Sequence, residues 1–166
     1  MPAERLKIET TRFGIVEVGA ASVIHFPKGL LGFEHRRQFI IIENDDHEPF
    51  AYLQSIEDPS LAFIIVNPRL FFPNYKVQVD RPEIADLSVN DLSHVSTWVV
   101  VTVPDEIASM SANLQGPLLI NRDKDIGKQV VLMRSPYTTR HYLLDELKKT
   151  KTKTKPETRV PVGAPV

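Results

Sequence analysis

The chain has 166 residues, 42% hydrophobic and 25% charged, with a formal net charge of −1. This is the composition of one ordinary globular domain with enough chain to bury a core. It contains no cysteine, which excludes a disulfide framework, a thiolate nucleophile and a Cys-ligated zinc. No apolar run approaches the ~18 residues of a membrane-spanning helix, and Met1-Pro2-Ala3-Glu4-Arg5-Leu6-Lys7 lacks the apolar stretch of a secretory signal. Together these absences point to a cytoplasmic protein that does not contact membranes.

The charge is unevenly spread. From Lys148 onward six cations face one acid, Glu157, so residues 1–147 carry an excess of six negative charges. An acidic body disfavours direct nucleic-acid binding, which rests on cations meeting phosphates. It suits basic protein partners, or solubility alone.

Strand signals run through the body. Phe13–Val18 alternates apolar and polar residues and Gly19 closes it; Ser22–Phe26 follows and ends at Pro27. Gln38–Glu43 contains Ile40-Ile41-Ile42, a continuous triplet that predicts a strand covered on both faces. Phe50–Ser55 and Leu61–Val66 are aromatic and β-branched, with turn residues Glu57-Asp58-Pro59-Ser60 between them. Next comes Arg69-Leu70-Phe71-Phe72-Pro73-Asn74-Tyr75. Pro68 and Pro73 make it poor helix and poor ladder material, so its apolar side chains either fold back over the core or form an adhesive surface.

Lys76–Val79 alternates again, and Val95–Val103 is long and β-branched up to Pro104. Ile107–Leu114, Pro117–Asn121 and Gln129–Met133 complete the predicted strands. Asn121–Lys128 reads as a polar hairpin connection, with Gly127 available for a positive φ. Helix signals are few: a turn at Ser88–Asp91, another over Pro82–Leu87, and a last helix capped by Thr139 with Tyr142, Leu143, Leu144 and Leu147 sharing a face.

The expected fold is therefore all-β, an antiparallel barrel or sandwich in a single domain over residues 1–147. The absence of long intervening helices argues against alternating βαβ units. The basic, Pro-containing tail 148–166 has little to bury and is expected to be disordered.

Catalytic constellations are missing. The five histidines show no HExxH spacing, and no dinucleotide, Walker or nucleophile-elbow motif occurs. Lys28-Gly29-Leu30-Leu31-Gly32 lacks phosphate-loop order and reads as a turn followed by apolar residues. Asn44-Asp45-Asp46-His47-Glu48 offers too few oxygens for a hard cation, and the loop opened by Asp123-x-Asp125 has Arg134 where a calcium loop needs Glu. Trp98 and Tyr142 read as core or sheet-face residues. No enzyme activity, cofactor, metal or small-molecule substrate is expected.

Several phrases together resemble one family. His25-Phe26-Pro27-Lys28-Gly29-Leu30-Leu31-Gly32-Phe33-Glu34 is similar to the opening of the flagellar assembly factor FliW. Phe50-Ala51-Tyr52-Leu53-Gln54-Ser55 with Leu61-Ala62-Phe63 is similar to its next block. Val101-Thr102-Val103-Pro104 and Ser111–Asn121 are similar to its later one. The resemblance covers residues 8–144 in order.

It implies a non-enzymatic cytoplasmic protein with a small β-barrel-like fold. Such a protein would bind flagellin as an export-stage chaperone and bind CsrA, a small RNA-binding translational repressor, relieving its block on flagellin messenger RNA. For CsrA, the candidate residues are the acids Glu43, Asp45, Asp46, Glu48, Glu57 and Asp58, on loops at the ends of neighbouring strands. For flagellin, they are two apolar patches, Leu30, Leu31 and Phe33, and Phe71, Phe72 and Tyr75. The alternatives are an RNA-binding β-barrel module using the basic tail, and a small-barrel enzyme with a polar pocket.

Overall fold

The computed structural model describes residues 4–146. Its strands are β1 (Arg5–Thr10), β2 (Gly14–Gly19), β3 (Ile24–His25), β4 (Gln38–Glu43), β5 (Ala51–Ser55), β6 (Ala62–Val66), β7 (Val95–Thr102), β8 (Ser111–Ala112), β9 (Leu118–Asn121), β10 (Ile126–Gln129) and β11 (His141–Tyr142). Among the described residues the short helix α1 (Arg81–Ile84) and several single 3-10 turns join them. The expected tail 148–166 lies outside the described residues.

Seven strands close into a ring in the order β7-β6-β5-β4-β3-β10-β9, with β9 returning to pair with β7. Neighbours in a ring can all alternate in direction only if the strand number is even, so a seven-stranded ring must contain a parallel pair. That pair is β3 with β10, and it is the thinnest seam of the barrel. A single register pair, Ile126 with His25, joins them, reinforced by His25 N–H donating to Asp125 O at 2.9 Å.

Side-chain alternation sorts each strand between the interior and an outer layer. Phe39, Leu53, Ile65, Leu118 and Ile120 pack inside the ring with Ile24, Phe26 and Leu30, all buried. Fully burying one such side chain stabilises the fold by about 1.5–3 kcal/mol. On the outside of the ring, Val66, Val99, Val101 and Leu119 pack beneath Phe71, Phe72, Tyr75, Ile84, Leu87 and Leu143.

The hairpin β1–β2 covers a third region, setting Ile8 with Leu6, Val16 and Val18 against Ile40 and Ile42. The isoleucine triplet is thus covered on both faces, as its continuity predicts. At the hairpin tip, Thr11 N–H donates to Pro59 O at 2.9 Å, and the Phe13 and Tyr52 rings meet edge to face at 5.0 Å.

Several expectations are corrected. β1 precedes all the predicted strands; the charged residues of Arg5–Thr10 mask the alternation of Leu6, Ile8 and Thr10. Residues 76–79 keep their alternation in burial but, among the described residues, pair with no strand. The 107–114 segment contracts to a 3-10 turn at Ile107–Ser109 and the two-residue β8. The ladder expected at 129–133 lies earlier, in Ile126–Gln129.

The connection at 121–128 also turns differently. Its positive φ falls on Asp125 (φ 53), while Gly127 sits within β10, paired with Ile120. Near the end of the described residues, β11 intervenes after Thr139, and residues 143–146 are helical; Leu147 of the expected helix lies outside the described residues.

Candidate partner-binding surface

The β3–β4 connection presents apolar residues on a fixed loop. Gly29 takes φ +64, and a Cβ there would stand 2.6 Å from Glu34 Cα, so only glycine fits the crossing. Leu30 plunges into the barrel at 3% exposure while Leu31 and Phe33 remain outside, at 60% and 41%. The Phe33 ring meets Phe63 edge to face at 5.1 Å.

Three hydrogen bonds hold the loop tip. Phe33 N–H donates to Leu30 O at 2.7 Å, Gly32 N–H to Glu34 Oε2 at 2.9 Å, and Leu31 N–H to Gln129 Oε1 at 2.9 Å. The Gly32 amide accordingly holds the Glu34 carboxyl below the usual carboxylate range. Gln129 reaches the loop from β10, and its Nε2 donates to Gly116 O at 2.9 Å. Nothing in the local sequence around Leu31 marks this partner, ninety-eight residues away.

The acidic residues separate into two groups. Asp45, Asp46 and Glu48 lie exposed on the β4–β5 connection, beside Glu43 at the end of β4. Among the described residues none of these four forms an ion pair. Asn44 Oδ1 accepts from Asp46 N–H at 2.9 Å, and His47 Nδ1 lies 3.0 Å from Tyr52 Oη, which fixes the turn. Arg12 is the nearby cation, 5.1 Å from the centre of the Tyr52 ring.

Glu57 and Asp58 occupy the other end of β5, on the β5–β6 connection. Five residues of strand separate the two loops by about 17 Å, roughly twice the Debye length of ~8 Å at physiological salt, so their charges do not pool.

Both carboxylates are also engaged in building the turn. Glu57 Oε1 accepts from Arg37 N–H at 2.6 Å and from Gln38 N–H at 2.9 Å. Asp58 Oδ1 accepts from Ser60 Oγ at 2.7 Å and Ser60 N at 3.0 Å, and Asp58 Oδ2 lies 3.8 Å from Arg36. The Ser60 hydroxyl, followed by its amide, holds the Asp58 carboxyl below the usual range. Beneath them Gln54, 0% exposed, points Nε2 at the carbonyls of Ser55 (3.0 Å), Leu61 (3.1 Å) and Pro59 (3.2 Å).

The second expected apolar patch is corrected. Phe71 and Phe72 are 8% exposed and Tyr75 is 2% exposed. All three cover the outer face of the ring, with Tyr75 Oη donating to Leu114 O at 2.7 Å. The two prolines keep this segment out of the ladder, and folding its aromatics inward removes them from water. Of the large apolar side chains in that run, Leu70, 57% exposed, is the one that faces solvent. Leu30, Phe71, Phe72 and Tyr75 are therefore core, and of these two apolar patches only Leu31 and Phe33 are exposed.

Among the described residues no three His, Asp or Glu side chains converge to hold a metal, and no helix is long and apolar enough to cross a membrane. A family model described as FliW protein matches residues 7–143, a span that contains the whole ring and both loops. This chain belongs to the FliW family. The flagellar assembly factor FliW of Thermoanaerobacter pseudethanolicus is 40% identical over 144 residues, 86% of this chain and 96% of the relative. That of Alkaliphilus metalliredigens is 42% identical over 143 residues, covering 86% and 88% of the two chains. The crystal structure of a flagellar assembly factor FliW superposes with a TM-score of 0.78 at 34% identity, covering 83% of this chain and 96% of that one. The FliW fold is thus the seven-stranded ring described above.

Sequence reasoning alone left out Gln129 and Gln54, which position the two loops, and Asp86, which clamps the first. Asp86 Oδ2 receives Lys28 Nζ at 3.0 Å and Lys128 Nζ at 3.2 Å, joining the β3–β4 loop to β10. These two ammonium groups, Lys28 first, hold the Asp86 carboxyl below the usual range.

Proposed function

We propose that this FliW-family chain is a non-enzymatic cytoplasmic flagellar assembly factor. It binds flagellin as an export-stage chaperone, and it binds the translational repressor CsrA, relieving the block on flagellin messenger RNA. Family membership across residues 7–143 carries this reading. Flagellin and CsrA compete for the factor, so the free factor reports how much flagellin awaits export. No membrane, nucleic acid or small-molecule substrate is engaged directly.

The surface supports two modes of contact. Leu31 and Phe33 offer an apolar anchor to the amphipathic termini of unassembled flagellin. Their loop is already hydrogen-bonded in place, so binding loses little further conformational freedom. Glu43, Asp45, Asp46 and Glu48 offer an unpaired acidic end. Docked beside a basic RNA-binding surface, it lowers RNA affinity by repelling phosphates within about one Debye length, ~8 Å.

The test is retention of purified flagellin and purified CsrA on the immobilised chain, with a labelled flagellin leader RNA followed in parallel. Both proteins are expected to bind, flagellin to displace CsrA, and the chain to release RNA from CsrA. Retention of neither protein would overturn the reading, and so would direct RNA binding by the chain.

A further inference from the structure

The two candidate surfaces stand at opposite ends of β5, about 17 Å apart, yet one turn touches both ends. It is the tip of the β1–β2 hairpin, residues 10–14. Among the described residues no ladder joins this hairpin to the ring, so the tip meets β5 and its turn through individual contacts. The tip is itself a closed unit. Thr10 Oγ1 accepts from Phe13 N–H at 2.8 Å and donates to Gly14 O at 2.8 Å, and Gly14 takes φ 68. A pull on one residue of the tip therefore reaches the others.

Thr11 holds one end. Its N–H donates to Pro59 O at 2.9 Å, and Gln54 Nε2 points at the same carbonyl at 3.2 Å. In the same β5–β6 turn Glu57 accepts from the amides of Arg37 and Gln38, where the loop bearing Leu31 and Phe33 enters β4. Phe13 and Arg12 hold the other end. The Phe13 ring meets Tyr52 edge to face at 5.0 Å, and Arg12 Cζ stands 5.1 Å from the centre of the same ring. Tyr52 Oη in turn meets His47 Nδ1 at 3.0 Å, inside the acidic connection.

One junction on this route is short of partners. Gln54 is 0% exposed, and its Oε1 has no hydrogen-bond partner among the described residues. Its Nε2 faces four carbonyls within 3.5 Å, more than an amide nitrogen with two hydrogens can serve. Surplus acceptors let this amide exchange Pro59 O for a neighbouring carbonyl without losing a hydrogen bond. The turn can thus shift its hold on the tip while β5 stays paired.

We propose that the hairpin tip couples the two loops, so that a protein seated on Leu31 and Phe33 loosens the acidic connection. This rests on the reading that the two surfaces take different proteins, flagellin and CsrA. Drawing Arg37 and Gln38 toward a bound partner pulls Glu57, and with it Pro59, away from Thr11. The tip then withdraws Phe13 from Tyr52, and the turn at residues 44–47 loses its support. A basic partner must order that turn again on docking, which lowers its affinity. Competition follows without overlap of the two sites, and by linkage each protein weakens the other by the same factor.

Hydrogen exchange on the full chain, with neither partner present, tests the coupling. The reporters are the amides of Asp46 and His47, bound to Asn44 Oδ1 and Asn44 O. Amides of β7 supply the reference for global stability. Phe13→Ala should speed both reporters about tenfold, the factor for a turn no longer ~90% formed, and Phe13→Tyr, which keeps the ring, should not. Glu57→Ala should speed them in the wild-type chain and add nothing in the Phe13→Ala chain. Reporters that Phe13→Ala leaves unchanged overturn the proposal, and so does an equal response to Glu57→Ala in both chains.

With the partners added, flagellin should weaken CsrA binding about tenfold in wild type and no more than about twofold in Phe13→Ala. Exclusion as complete in Phe13→Ala as in wild type means overlapping sites and also overturns the proposal. A chain that retains neither protein defeats the functional reading instead, and the exchange measurements then decide the coupling by themselves.

Discussion

The Phe26 ring fills the space that a side chain at position 127 would need. A Cβ on Gly127 would stand 2.6 Å from Phe26 Cζ and 2.7 Å from Cε2. Gly127 lies in β10 at the parallel seam, so its missing side chain lets β10 approach the barrel interior at the seam's weakest pairing. Gly127→Ala should cost about 1–3 kcal/mol by overpacking. Urea unfolding should show a lower midpoint with an unchanged slope, and Phe26→Leu in the same chain should recover part of the loss. An unchanged midpoint for Gly127→Ala would mean the seam has slack that this geometry denies.

Core and surface apolar residues should separate cleanly on truncation. Phe72→Ala empties a site under the outer layer and should cost about 3–5 kcal/mol of stability. Leu31→Ala, on an exposed side chain, should change stability by no more than about 0.5 kcal/mol. A genuine anchor is worth ~2 kcal/mol, so Leu31→Ala with Phe33→Ala should weaken flagellin binding roughly thirtyfold while the thermal midpoint holds. Calorimetric titration of both variants against flagellin decides it, and full affinity in the double variant would remove this loop from the interface.

The two acidic loops should respond differently to charge reversal. D45K/D46K/E48K touches carboxylates with no ion pair among the described residues, so thermal stability should hold while release of RNA from CsrA is lost. E57K/D58K removes the acceptors for Arg37, Gln38 and Ser60, so it should lower the melting temperature first. RNA release that survives the triple reversal would rule out the acidic end as the source of repulsion.

Asp86 gives a pH signature. Its carboxyl is depressed below 3.8 in the folded chain. The bridge therefore stabilises the fold above the ordinary carboxylate range, and that contribution is lost as pH falls through the lower, folded value. Wild type should exceed Asp86→Asn in thermal midpoint by a constant margin from pH 7 down to about 4, and the margin should close below that. A gap that persists in acid would assign the effect to packing instead of charge. Salt should shrink the margin at pH 7, since the bridge is partly exposed.

Local signals were enough to outline the elements. Gln38–Glu43 was legible to the residue because its apolar triplet is bounded by polar residues, and β5, β6 and β7 by their β-branched content and bounding turns. β1 was missed because its charged residues diluted the alternation. Residues 76–79 carried a strand pattern that finds no neighbour among the described residues, since pairing is a property of two segments and periodicity a property of one.

The candidate surface was legible in composition only. Leu30 and Leu31 are adjacent and chemically identical, yet the Gly29 crossing turns one into the barrel and leaves the other in water. The pairs Glu57–Asp58 and Asp45–Asp46 look alike in sequence, but only the first meets amides and hydroxyls from neighbouring segments.

By itself, then, the order of residues determined the all-β class, the family and the kinds of side chain available to partners, because these follow from local alternation, turn chemistry and residue type. Only the tertiary structure decided which phenylalanines face solvent, which carboxylates stay unpaired, and that closure of seven strands forces one parallel seam. Those outcomes depend on contacts between residues far apart in the chain, such as Leu31 with Gln129 and Gly127 with Phe26, and no local pattern encodes them.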